Sequence, residues 1–86
     1  MRNLLKSSYM KTLYDVQQLL KGFGIVIYMG KRLYDIEMMK IELQRLYDGG
    51  LLDKQAYLTA ELILRREHRL ELKREGQENE SKIDRD

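Results

Sequence analysis

The chain contains no cysteine and no proline. Without thiols there is no disulfide to staple the fold and no thiolate zinc site. Without proline, no ring interrupts a helix. A single imidazole, His68, excludes a histidine-rich metal site. Long apolar runs are missing too. The longest, Ile25–Met29, is far short of the roughly 20 residues a membrane span needs. The opening MRNLLKSSYM lacks the apolar core of a signal peptide. Serine is confined to Ser7, Ser8 and Ser81, all in stretches that read as tails, so no nucleophile–base pair stands out. His68 has arginine at position 65, where a helical Glu-x-x-His ligand pair needs glutamate, and reads as a surface or partly packed side chain. Gly22, Gly24 and Gly30 miss the dinucleotide-binding spacing because position 27 is Ile. Asp48 and Asp53 around a glycine pair supply too few oxygens for a calcium loop. These absences lead to the expectation of a small cytoplasmic protein that is not an enzyme, takes no cofactor and binds no membrane.

What is present favours helix. Apolar side chains make up 43% of the 86 residues, enough for a core, and charged ones 35%. Sixteen basic residues oppose fourteen acidic ones, net +2. A domain this small, with neither disulfide nor metal, has only a few kcal/mol of core stability. A partner surface is therefore expected, for its own copy or for another molecule.

Thr12 suits an N-cap, with Asp15 completing a capping box, and Leu13, Val16, Leu19 and Leu20 recur at helical spacing. Gly22 reads as the C-cap of this first helix, with Gly24 confirming the break. Residues 24–30, GIVIYMG, read as an extended apolar connector, because no second strand is available to pair with them. A second helix is predicted over 33–47, with Ile36, Met39, Leu43, Leu46 and Tyr47 on its buried stripe. Asp48-Gly49-Gly50 ends it. Asp53 is the N-cap of the third helix, and Leu52 with Tyr57 forms a hydrophobic staple. That helix is expected to reach Glu75, to be capped by Gly76, and to project beyond the second helix from about residue 68. Leu-Tyr-Asp occurs at 13–15, 33–35 and 46–48, but without a fixed period it reflects helix-end chemistry rather than a repeat. The organisation is then an N-terminal extension over 1–10, an all-α three-helix bundle over 11–76 and a disordered polar tail over 77–86.

One charge pattern stands above background. Arg65, Arg66, Arg69 and Lys73 fall within about a 100° arc of the third helix, while Glu61, Glu67, Glu71 and Glu75 gather on another arc. The basic stripe suits phosphates. Tyr28 and Tyr34 flank Lys31 and Arg32, a pattern in which tyrosines stack bases while the cations hold the backbone. This makes single-stranded nucleic acid the leading expected ligand. The alternative is a protein-interaction module or homo-oligomer, with Met29, Met38, Leu70 and Leu72 as an adaptable apolar surface.

The segments YDVQQLLKGFG at 14–24, IYMGKRLYDIEMM at 27–39 and LYDGGLLDKQAYLTAELILRRE at 46–67 resemble the YqgQ-like family of short bacterial proteins. The resemblance covers about residues 11–72 and implies a compact three-helix fold and a cytosolic protein. It carries over no catalytic residues. Members of that family begin just before the first segment, so Met1–Tyr9 is expected to be an extension.

Overall fold

The computed structural model describes the backbone of residues 10–84 and the side chains of residues 10–76. Among the described residues three helices follow one another: α1, Leu13–Lys21; α2, Arg32–Asp48; α3, Lys54–Asp84. No strand occurs among the described residues.

Local chemistry sets most of the boundaries. Thr12 Oγ1 accepts the Asp15 N–H at 3.2 Å, and the Asp15 carboxylate accepts the N–H groups of Thr12 at 3.0 Å and Lys11 at 2.8 Å. The capping box thus satisfies donors that the first turn leaves open. At the other end of α1, Gly22 is the C-cap, as expected. Gly22 stays in right-handed helical geometry, and Gly24 takes the left-handed conformation with φ +82°. Ile25 N–H then donates to Leu20 O at 3.0 Å and Gly24 N–H to Lys21 O at 2.9 Å. The same motif closes α2. There Gly50 has φ +76°, Leu51 N–H donates to Leu46 O at 2.9 Å and Gly50 N–H to Tyr47 O at 3.0 Å. Asp53 Oδ1 accepts the Ala56 N–H at 2.7 Å at the start of α3. Leu52 is buried and Tyr57 packs on the core, as the staple requires.

α2 and α3 form an antiparallel hairpin. Near its turn, Tyr47 and Tyr57 stack with ring centroids 4.3 Å apart, and Tyr57 Oη donates to Gln44 Oε1 at 2.7 Å. At its open end, Arg32 meets Glu67 and Glu71. α1 lies across both partners. Its Val16 and Leu20, Ile36, Met39 and Leu43 of α2, and Leu64 of α3 are the largest fully buried side chains. Ala56 and Ala60 are buried as well, and their small side chains let neighbours approach the α3 backbone.

Two boundaries move. Met10, expected in an extension, is buried in the core; Met1–Tyr9 lie outside the described residues. α3 does not stop at Gly76 but continues to Asp84, through most of the stretch expected to be a disordered tail. A glycine within a helix costs only about 1 kcal/mol relative to alanine, and no proline follows to enforce a stop. The hairpin is also longer than helix lengths alone suggest. Glu37 of α2 reaches His68, and Lys31, ahead of α2, reaches Glu75.

Candidate functional site

The residues singled out in the sequence are all ordered, but the fold distributes them over two sides of α3. Lys31 and Arg32 lie against its acidic arc. Lys31 Nζ is 3.6 Å from Glu75, and Arg32 is 3.3 Å from Glu67 and 3.6 Å from Glu71. Glu71 is 9% exposed and also receives Arg74 at 2.8 Å. A carboxylate so far out of water needs charge-assisted partners. Arg32 is therefore a structural cation that ties the start of α2 to α3.

Both tyrosines are at the surface. Tyr28 is 84% exposed and Tyr34 48% exposed, with Lys31 Nζ 5.3 Å from the Tyr34 ring centroid. Arg65, Arg69 and Lys73 project from the outer side, opposite the core. Glu71 and Arg69 are separated by about 160° around the helix at 100° per residue. Glu67 receives both Arg32 and Arg66, so the stripe adjoins the cation pair at Arg66, while Arg65, Arg69 and Lys73 lie on the outer side. Within the stripe, Arg65 pairs with Glu61 at 3.4 Å, and Arg66 donates to Lys11 O at 2.9 Å and lies 3.5 Å from Glu67. Arg69 and Lys73 have no carboxylate partner among the described residues. His68 Nε2 is 3.1 Å from Glu37, a partly packed bridge between α2 and α3.

The apolar surface expected as the alternative is scattered too. Met29 is exposed and Met38 half-buried, while Leu70 and Leu72, both exposed, leave α3 about 160° apart. A different surface comes together instead. Leu58, Leu62, Arg65, Arg69 and Leu72 follow one another at spacings of four, three, four and three along the outer face of α3. All five are exposed, Leu62 by 66%. That spacing is the seam of a helix that packs on another helix. The signal was present in the sequence, but the core-facing residues at similar spacing concealed it.

Fold and surface define a small all-α protein: a helical hairpin braced by a short third helix, with an exposed leucine–arginine seam on its longest element. Among the described residues, no helix is long and apolar enough to cross a membrane. The family model described as YqgQ-like matches residues 10–70, and the chain belongs to the YqgQ-like family. It is 47% identical over 58 residues to a protein of Bacillus subtilis (strain 168) named Uncharacterized protein YqgQ, covering 67% of this chain and 82% of that protein. The matched region starts at Met10, which is buried, and takes in α1, α2 and more than half of α3.

Proposed function

We propose that this chain is a non-enzymatic binding module whose outer α3 face docks an acidic amphipathic helix of another protein. One observation carries the reading: Leu58, Leu62 and Leu72 are exposed on a single seam with Arg65 and Arg69 between them. Exposed leucines aligned at helix-packing spacing mark a contact surface. The arginines select the charge of the partner, because like charge across a contact is repelled and opposite charge is steered in. A second copy docked in parallel on this seam would set Arg65 and Arg69 each against its own counterpart. A helix bearing leucines and glutamates complements both features.

Fluorescence anisotropy with a labelled leucine–glutamate heptad peptide tests this. The chain is expected to bind the peptide, and Leu62→Asp to weaken it by at least about tenfold, as loss of a central apolar anchor does. Arg69→Glu is expected to weaken it as well. Binding unaffected by both substitutions would overturn the reading.

Single-stranded nucleic acid is the second reading, supported by the exposure of Tyr28 and Tyr34 and by the absence of carboxylate partners for Arg69 and Lys73 among the described residues. It predicts that labelled oligo-dT binds with an affinity falling steeply with salt. That binding would survive Leu62→Asp but not Arg69→Glu with Lys73→Glu. Absence of oligo-dT binding at low salt would remove this reading.

A further inference from the structure

The connector between α1 and α2 bonds to its own molecule through two N–H groups of one edge and through none of the other. Ile25 N–H donates to Leu20 O at 3.0 Å, and Met29 N–H donates to Asp35 Oδ1 at 2.6 Å. In an extended chain the main-chain groups of successive residues point to opposite edges. Ile25 and Met29 thus turn their N–H groups toward their own molecule, and Val26 and Tyr28 turn theirs to the opposite edge. The N–H groups of Val26 and Tyr28 make no hydrogen bond among the described residues. The side chains alternate in the same way. Ile25 and Ile27 pack on the core, while Val26 is 77% exposed and Tyr28 projects into solvent. Between Gly24 and Gly30 no charge and no proline protects this edge.

We propose that the edge pairs antiparallel with the same edge of a second copy, about a two-fold axis at Ile27. In that register Val26 lies opposite Tyr28 of the second copy, and Tyr28 opposite its Val26. Each pair exchanges two main-chain hydrogen bonds, so all the outward groups of both residues are used. The neighbouring registers are poorer. Setting Val26 opposite itself brings in Gly24, whose N–H already donates to Lys21 O at 2.9 Å. Setting Tyr28 opposite itself brings in Gly30, whose φ of +91° is not extended. On the exposed face the chosen register places an aromatic ring beside a β-branched side chain twice, a favourable cross-strand pair. The contact is separate from the α3 seam, so both can be occupied together.

Two double variants of the full chain isolate the register. Val26→Lys with Tyr28→Lys sets like charges opposite each other across the contact. Val26→Lys with Tyr28→Glu sets opposite charges there. Both alter the same two exposed side chains, so circular dichroism is expected to match the unaltered chain. Sedimentation velocity is run from about 10 μM to about 1 mM, the range in which so short a ribbon associates. The unaltered chain is expected to dimerise, and the Lys/Glu variant to dimerise at least about tenfold more tightly than the Lys/Lys variant. Amide exchange at Val26 and Tyr28 should slow as the dimer forms. A monomer throughout the range overturns the proposal, and so does equal dimerisation by the two variants, which would place the contact elsewhere.

Discussion

Single residues at the helix ends do most of the local work. Thr12 and Asp15 hold the start of α1 through three hydrogen bonds. Thr12→Ala is expected to cost about 1 kcal/mol, measured as a shift of the urea midpoint. N–H groups of Lys11 and Thr12 hold the Asp15 carboxyl below the ordinary carboxylate range. Its folded pKa lies below its unfolded one, so this contribution is complete above the unfolded value and is lost as pH falls through the folded one. Asp15→Asn should therefore flatten the acid limb of stability against pH. An unchanged limb would assign acid sensitivity to other carboxylates. Tyr57 has the opposite sign. Burial, with Glu61 and Asp48 nearby, raises its phenol above 10.0. Its contribution is complete below the unfolded pKa and is lost as pH rises toward the folded one, so Tyr57→Phe should soften the alkaline limb. These caps and the staple were legible because each is a short pattern of residue types. That Gly24 and not Gly22 turns left-handed after α1 was not, since either glycine can adopt that conformation and only the backbone decides.

At the scale of elements, charged pairs clasp the hairpin at its open end. Arg32 joins Glu67 and Glu71, and Lys31 joins Glu75. Arg32→Ala leaves the nearly buried Glu71 with Arg74 alone and is expected to destabilise the fold by about 1 kcal/mol, more than an exposed ion pair is worth. Arg74→Ala in the same background should then cost more than it does alone, and a double-mutant cycle reads that coupling. α3 is the long element. With nothing within 4 Å of a Cβ built at Gly76, Gly76→Ala is sterically free and should raise helix content and stability by up to about 1 kcal/mol. Circular dichroism at 222 nm tests it, and no gain would mean that α3 is not maintained through this position. The helices themselves were legible from apolar periodicity. Their pairing register was not, because the partners of Lys31 and Arg32 sit more than thirty residues away along the chain.

For the whole molecule, stability rests on one shared core fed by all three helices. Leu43 is fully exchanged from water and lies on the central stripe of α2. Leu43→Ala is expected to cost about 3 kcal/mol. In so small a domain that is a large share of the total, and chemical denaturation should show a chain close to unfolding. Leu62→Asp, on the outer face of α3, should leave the denaturation midpoint unchanged. Contrasting these two substitutions separates the surface that holds the fold from the surface offered to a partner. The seam of Leu58, Leu62, Arg65, Arg69 and Leu72 was hidden in the sequence by the equally spaced core positions Ala56, Ala60, Ile63 and Leu64. Periodicity reports that a face exists, and burial decides which face is inside.

The sequence by itself determined the helices, the caps and turns at most of their ends, the apolar connector and the all-α class, because each depends on residues within a turn or two of one another. It also carried the family, through segments that lie in α1, α2 and the first half of α3. The tertiary structure alone decided that Arg32 serves the fold, that Tyr28 and Tyr34 face solvent, and that Val26 and Tyr28 are exposed with unbonded N–H groups. Those outcomes depend on which side of one helix another lies. That relation is set by packing across the chain and is not written in the spacing of any one segment.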